Sequence, residues 1–183
     1  MTQKEEDSFR SPLNIEIRYT ELQDGPYLKE WLMDKDVGRW FPMADELEVE
    51  DAVNRWIAFY RYRASLTATH EGKPVGLTTL YLQPYRKLAH QCEFGIIVAP
   101  NYRGKKVGSE LLNNLIHLAR DKFKIELLHL QVYQENPAIR LYKRFGFVEF
   151  GCQTEWIKEL NHTYTGRTFM EKRIRPKDTE IKS

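Results

Sequence analysis

A single domain built on a mixed α/β sheet is the fold class that this sequence predicts. The chain has 183 residues, a length typical of one domain. Hydrophobic residues make up 42% of it, an ordinary share for a globular protein that buries a sizeable core. Its apolar pattern alternates between a period of two and a period of three to four. Because several strands precede Gly104 and helices separate the strands after it, the sheet is expected to be mixed.

Seven segments carry the features of β-strands. The first alternates Ile15, Ile17 and Tyr19 with polar side chains, which is the period of a half-buried strand. The seven predicted strands lie at residues 14–22, 65–69, 74–82, 91–99, 126–133, 147–157 and 164–174. A four-residue connection that contains Gly72 joins the second strand to the third and predicts a hairpin.

Four segments are predicted to be helices, at residues 27–34, 47–63, 107–122 and 136–145. Asp45, followed three residues later by Glu48, resembles a capping box and places the second start. Gly146 stands where helices commonly end. In domain terms, the sequence predicts a flexible segment at 1–12, one folded domain at 13–175 and a tail at 176–183.

Charge and residue content argue against several classes of protein. The chain carries 28 basic and 26 acidic residues, without the basic excess of a nucleic-acid binder. No apolar run approaches the ~20 residues of a membrane helix, and no apolar stretch typical of a signal peptide opens the chain. A cytoplasmic protein with neither nucleic-acid nor membrane partners is therefore expected. Cys92, Cys152 and the five histidines lack metal-ligand spacing, so no metal is predicted. The two thiols are expected to be unpaired and in the core, with a single disulfide as the alternative.

The most informative segment joins the fourth predicted strand to the third predicted helix. A helix start presents backbone N–H groups without intrahelical partners and a partial positive charge. Gly104 and Gly108 allow a ligand to approach the backbone, and Arg103, Lys105 and Lys106 add full charges. These features predict a phosphate or pyrophosphate site, with an ordinary basic loop as the alternative. Neither the P-loop pattern nor the dinucleotide-binding pattern is present.

This segment resembles the acetyl-CoA loop of the GNAT superfamily. The family pattern is Arg or Gln, two residues, Gly or Ala, one residue, and Gly or Ala. Arg103 and Gly108 match its ends, whereas Lys106 stands where the family usually has glycine. The lysine fits the pattern if its backbone is helical and its N–H group still donates.

A second segment resembles the other cofactor motif of the same family. Its matching residues are Ala138, Leu141, Tyr142, Gly146 and Phe147. Asn136 departs from the motif, because one residue rather than the usual two separates it from Ala138. The two motifs occur in the family's order, about thirty residues apart, which makes the pair far more specific than either alone.

The resemblance implies a fold, an activity and a set of partners. The expected fold is a mixed, mostly antiparallel sheet of about seven strands, flanked by about four helices and splayed at the acyl-CoA site. The expected reaction moves an acetyl group from acetyl-CoA to a primary amine by direct attack. Acceptors in the family include small amines or polyamines, aminoglycoside-like amines and protein N-termini. The opening and closing segments are similar to the spermidine and ribosomal-protein N-terminal acetyltransferase branch.

The resemblance also implies site residues. Glu93 would be the general base and Tyr142 the acid that protonates the leaving thiolate, with a surface ion pair and aromatic packing as the respective alternatives. The implied cofactor-binding positions are Ile96, Ile97, Val98, Arg103, Gly104, Lys105, Lys106, Val107, Gly108, Ser109, Asn136, Ala138, Tyr142 and Lys143. Asn136 is equally suited to cap a helix.

The acceptor side is marked only by aromatic residues, each of which is also a candidate for core packing. They are Trp31, Trp40, Phe41, Tyr81 and Trp156. Two other functions stay open: a non-catalytic acyl-CoA-binding regulatory module on the same fold, and a nucleotide-binding protein that uses the basic turn. The sequence leaves the oligomeric state open, a homodimer included.

Overall fold

The computed structural model describes residues 13–175, which contain one seven-stranded sheet of order β1-β2-β3-β4-β5-β7-β6. The strands are β1 Ile15–Tyr19, β2 Ser65–His70, β3 Lys73–Tyr81, β4 Gln91–Val98, β5 Leu127–Tyr133, β6 Val148–Lys158 and β7 Tyr164–Arg173. The α-helices are α1 Gly25–Met33, α2 Lys35–Gly38, α3 Glu46–Ala58, α4 Val107–His117 and α5 Ile139–Arg144. The segments predicted as a flexible N-terminus and a tail, 1–12 and 176–183, lie outside the described residues.

The predicted sheet is confirmed. All seven strands lie where the alternating pattern placed them, with ends that differ by a few residues. Neighbouring strands run antiparallel except β4 and β5, which are parallel. The helix count differs, because α2 was not predicted. A helix of four residues has no periodicity to detect; its start is fixed by Asp34, whose side chain accepts from the N–H groups of Asp36 and Val37.

All four predicted helices begin or end at other residues than expected, the first, predicted at 27–34, by one or two residues. The second, predicted at 47–63, is helical to Ala58 and finishes as a 3-10 turn. The third, predicted at 107–122, is α-helical only to His117 and then widens into a π-turn. The fourth begins at Ile139, because a turn comes first in which Asn136 Oδ1 accepts from the N–H of Ala138 at 2.9 Å.

The β2–β3 connection is tighter than predicted. His70 pairs directly with Lys73, which leaves a two-residue turn. Both turn residues have positive φ, 51° at Glu71 and 77° at Gly72, the geometry that suits the twist of a hairpin.

Helices cover both faces of the sheet. Alternate side chains of β4 enter different apolar clusters: Ile97 packs with residues of α1 and α3, and Ile96 packs with residues of α4. Trp31 of α1 is only 4% exposed and belongs to the first of these clusters, beside Leu28. The helices thereby hold β4 from both sides and fix the position of its free edge.

Candidate active site

The parallel strands β4 and β5 diverge along their length. They pair only over Gln91–Glu93 and Leu127–His129, although β4 continues to Val98 and β5 to Tyr133. Within residues 13–175, the edge of β4 beyond Glu93 therefore has no strand partner on this side. An extended ligand can hydrogen-bond to such an edge as an added strand does. The splay expected at an acyl-CoA site is present.

A groove of about 120 Å³ runs along this open edge. Eight of the positions predicted to bind the cofactor line it: Ile96, Ile97, Val98, Arg103, Gly108, Asn136, Ala138 and Tyr142. Trp40 and Phe41, predicted on the acceptor side, line it as well. The strand and the loop that follows it are thus brought together with the second motif, which begins about forty residues after the strand.

The loop that enters α4 turns through two left-handed residues, Gly104 with φ 74° and Lys106 with φ 67°. Lys106 was expected to be helical. That expectation is wrong, because its backbone, with ψ 0°, lies in the left-handed region and not in the region of a right-handed helix. Glycine adopts that conformation without steric cost, which accounts for the family's usual residue there. The carbonyl of Lys106 accepts from Ser109 N at 2.9 Å and so starts α4.

The first residues of α4 present the unpaired backbone N–H groups that were expected for an anion site. Val107 and Gly108 have backbone N–H groups with no acceptor in the preceding turn, at the positive end of the helix. The side chain of Val107 is buried, so only its backbone can serve. At Gly108 a Cβ atom would lie 3.3 Å from Leu141 Cδ2, and the glycine lets α4 approach α5 closely.

Two of the cationic side chains that were predicted to bind the cofactor interact with other residues of the protein. Arg103 lines the groove while its Nη1 donates to the carbonyl oxygen of Asp36 at 3.1 Å, which ties the loop to α2. Lys143 does not line the groove. Its ammonium pairs with Glu149 at 2.8 Å, because the side chain leaves α5 toward β6. The structure therefore gives no support to Lys143 as a cofactor ligand.

A larger cleft of about 630 Å³ opens into the groove. The residues that line both are Trp40, Phe41, Ile96, Asn136 and Tyr142. Tyr81 and Trp156, predicted on the acceptor side, line the cleft. Trp31 does not, and its prediction as an acceptor residue is wrong: the buried face of α1 carries it into the core instead.

Glu93 lies at the fork between the strands and lines the cleft. Burial raises the pKa of its carboxyl above the usual range, whereas the charge of Arg167 and a hydrogen bond from Gln131 act to lower it. A carboxylate with a raised pKa in a cleft is suited to accept a proton.

Tyr142 borders both cavities and is 6% exposed. Its ring packs against Phe94 and Phe147, with centroid distances of 6.1 Å to each. Burial raises the pKa of its phenol, so the hydroxyl is neutral and able to donate. The aromatic packing weighed as an alternative is thus present together with access to the cavities.

The sequence analysis missed Gly95, Gln131 and Arg167, which all line the cleft. A Cβ atom at Gly95 would lie 2.7 Å from Tyr81 Oη and 2.8 Å from Trp56 Cη2, so glycine is required for these rings to cross β4. Glycine inside a strand is a known sign of such an approach and could have identified it. Gln131 and Arg167 carry no local signal, because they meet only through the pairing of β5 with β7.

Among residues 13–175, no three His, Cys, Asp or Glu side chains are arranged to hold a metal ion. No helix there has the length and apolar content needed to cross a bilayer. Cys92 and Cys152 are both free thiols; Cys92 is buried as expected, whereas Cys152 is exposed rather than in the core.

Comparison with known proteins gives a family and several relatives. The model of the acetyltransferase (GNAT) family matches residues 26–147. An L-amino acid N-acetyltransferase of Escherichia coli is 31% identical over 83 residues, which cover 45% of this chain and 51% of the relative. A spermidine N(1)-acetyltransferase of Vibrio cholerae is 30% identical over 119 residues, 63% of this chain and 68% of the relative. The chain thus spans about half the length of the first relative.

Solved structures share the fold. A Salmonella typhimurium protein with its cofactor acetyl-CoA superposes with a TM-score of 0.74 at 19% identity, over 93% of this chain and 99% of the other. A ribosomal-protein-alanine N-acetyltransferase from Brucella melitensis gives a TM-score of 0.72 at 25% identity, over 86% and 99%. The family model and the splayed sheet agree with each other, and we conclude that this chain belongs to the acetyltransferase (GNAT) family.

Proposed function

We propose that the protein transfers the acetyl group of acetyl-CoA directly to a primary amine that lies in the 630 Å³ cleft. The observation that carries this proposal is the junction of groove and cleft at Ile96, Asn136 and Tyr142, beside Glu93. A thioester that enters along the groove meets an amine in the cleft without any covalent carrier. Neither free thiol lines either cavity, in agreement with direct transfer.

The chain's own groups fit the two ends of acetyl-CoA. In this proposal the N–H groups of Val107 and Gly108 bind the diphosphate, with Arg103 and Lys105 adding charge. The unpaired edge of β4 binds the pantetheine arm. Asn136 already accepts from Ala138 through Oδ1, so its amide nitrogen is the group left to donate to that arm.

Glu93 supplies the base in the proposed reaction. An aliphatic amine has a pKa near ~10.4 and is protonated at neutral pH, so it must lose a proton before it attacks. Glu93 takes that proton, directly or through a water molecule, as the bond from nitrogen to the acetyl carbon forms. Its raised pKa keeps it a better base than an exposed carboxylate.

Tyr142 supplies the acid. As the bond between the acetyl carbon and sulfur breaks, the phenol donates its proton to the thiolate. Its burial keeps it protonated until that moment. Glu93 and Tyr142 border one cleft, so both proton transfers can serve a reaction at one carbonyl carbon.

The relatives named for their acceptors differ: one acts on L-amino acids, one on spermidine and one on ribosomal-protein alanine. The direct test is release of free thiol from acetyl-CoA with polyamines, amino acids, aminoglycosides and peptide N-termini, with acetylated product confirmed by mass. We expect one acceptor class to give turnover. Thermal stabilisation by CoA without thiol release from any acceptor would favour the regulatory module, and stronger stabilisation by ATP would favour nucleotide binding.

The base is tested by Glu93→Gln, which keeps the shape of the side chain and removes its basicity. The wild-type rate should fall as the pH falls through the raised pKa of Glu93, because the protonated carboxyl cannot accept. In the variant kcat/KM should drop by about 100-fold and this acidic limb should disappear. Glu126→Gln, at the far end of β5, is the matched control and should behave as wild type. An unchanged acidic limb in the Glu93 variant would exclude the role.

A further inference from the structure

Arg167 places a positive charge in the acceptor cleft without a carboxylate partner. It lies on β7 and lines the cleft. None of the ion pairs formed within residues 13–175 includes it. Its contacts are neutral: Nε and Nη2 donate to Gln153 Oε1 at 3.0 and 2.9 Å, and Nη1 donates to Gln131 Oε1.

Two aromatic rings fix the position of this guanidinium. Its Cζ atom lies 3.2 Å from the centroid of the Trp156 ring and 4.4 Å from that of Phe169. An arginine that is already stacked and hydrogen-bonded to glutamine side chains has little conformational freedom left, so binding of a ligand costs little further entropy. Such a planar fork is the group best suited to bind a carboxylate through two parallel hydrogen bonds.

Gln131 connects Arg167 to the proposed base. It accepts from Arg167, and its side chain lies close enough to the carboxylate of Glu93 to lower the pKa of that group, so one amide side chain lies between the two charged groups. The two also interact through their charges, since Arg167 lowers the pKa of Glu93. A group bound at Arg167 is therefore held close to the amine that Glu93 deprotonates.

The cleft offers a polycation few carboxylates that are free to bind it. Besides Glu93 its carboxylates are Glu48 and Asp51, both exposed at the rim. Asp51 pairs with Arg55, and Glu48 accepts from the backbone N–H of Ala44 at 2.6 Å. A polyamine would find these groups engaged and would meet the charge of Arg167 beyond them.

We propose that Arg167 binds a carboxylate of the acceptor, and that the acceptor is a small amine carrying such a group close to its nitrogen, as a free α-amino acid does. This rests on the proposed function, since it names the substrate class of the same cleft. The amine and carboxylate of an α-amino acid are attached to one carbon, a separation suited to two side chains joined by a single glutamine. Polyamines and peptide N-termini lack that carboxylate.

The test compares free amino acids with their carboxamides, which keep the size of the acceptor and lack the negative charge. Rates are compared per unprotonated amine, because the amine of the carboxamide has the lower pKa. Wild type should prefer the free acid by about 10- to 100-fold in kcat/KM, the range for a hydrogen bond between charged groups. Arg167→Gln should abolish this preference mainly through a higher KM for the free acid, and Arg167→Lys should restore part of it. The acidic limb of the pH profile should also move upward in Arg167→Gln, because a charge that lowers the pKa of Glu93 is gone. Arg86→Gln, exposed and outside both cavities, is the charge-matched control.

Each outcome decides the proposal. Equal or better turnover of carboxamides or spermidine by wild type would overturn the carboxylate acceptor while leaving acetyl transfer intact. A preference that survives in Arg167→Gln would overturn the role of Arg167. If no amine gives turnover, the proposed function fails; calorimetric titration of the CoA-bound protein with an amino acid and its carboxamide then decides separately whether Arg167 binds carboxylates.

Discussion

The groove and the cleft meet at one fork in the sheet but are built in different ways. The groove uses backbone edges, a glycine and a helix start, drawn from a few short runs of chain. The cleft is lined by side chains from α3 and from β3 to β7. Local runs with fixed spacing produce the first, whereas the second depends on which strands become neighbours. In the proposed function, binding of the co-substrate and choice of the acceptor thus depend on different parts of the molecule.

The largest effect that separates the two regions is expected from Gly108→Asp. The new carboxylate would stand at the start of α4, where the diphosphate is proposed to bind, and its Cβ would press on Leu141. Like-charge contact costs several kcal/mol, so the affinity for acetyl-CoA should fall by about 1000-fold or more. Calorimetry measures it directly. Gly151→Asp, on exposed β6, adds the same charge and should bind as wild type; normal affinity of the Gly108 variant would refute the diphosphate site.

Tyr142→Phe probes the residue that belongs to both regions. Loss of the hydroxyl should lower kcat by about 100-fold, because the thiolate then leaves without a proton donor. The ring contacts with Phe94 and Phe147 remain, so the affinity for CoA should be unchanged in calorimetry. Tyr62→Phe, an exposed tyrosine, serves as control. Wild-type turnover in the Tyr142 variant would assign that residue to packing alone.

Asp24 offers a stability change outside both regions. It is 2% exposed, pairs with Arg18 at 2.7 Å and accepts from Thr67 Oγ1 at 2.8 Å. Asp24→Asn should reduce the free energy of unfolding by about 2 kcal/mol, less than a fully buried pair because Arg18 is a third exposed. Activity per folded molecule should be retained. Urea unfolding and kinetics measured in parallel would show this, and lost turnover in folded protein would contradict the separation of Asp24 from the groove and the cleft.

The same carboxyl predicts a pH dependence with a defined sign. Burial raises its pKa, but the hydrogen bonds from Arg18, Glu21 and Thr67 prevail and lower the pKa below 3.8 overall. Its stabilisation is therefore complete above the ordinary pKa and is lost as the pH falls through the lowered one. The difference in Tm between wild type and Asp24→Asn should shrink in acid.

The smallest effects are expected from Lys106→Gly, which should increase the stability of the protein and weaken acetyl-CoA binding. Glycine relieves a left-handed lysine and should raise the free energy of unfolding by up to about 1 kcal/mol. Removal of an exposed cation from the loop should weaken acetyl-CoA binding by less than about tenfold. Lys105→Gly, which removes a neighbouring cation without a left-handed backbone to relieve, is the control for strain. Lower stability in the Lys106 variant would contradict the strain argument.

The fold was largely predictable because its strands alternate cleanly, as β5 does with Leu128, Leu130 and Val132 on its buried face. The helix α2 was not, since one side-chain cap and four residues define it. The place of β7 between β5 and β6 is a matter of long-range pairing that no local pattern encodes.

The site divides in the same way. The positions along the groove were implied by two motifs that resemble those of the family, and most of them do line the groove. Trp31 failed because the packing of α1, rather than its composition, decides which face of the helix is buried. Arg167 was missed because its meaning comes from Trp156, Gln131 and Glu93, which lie on three other strands.

The short pairing of β4 with β5 also bears on how the molecule moves. Three residue pairs join a ribbon of four strands to a ribbon of three, and beyond them no ladder hydrogen bonds join β4 to β5. An extended ligand between the two strands would complete the ladder. Amide hydrogen exchange along β4 beyond Glu93 should therefore slow when acetyl-CoA binds, so that the co-substrate acts as a missing strand of the fold as well as the acyl donor.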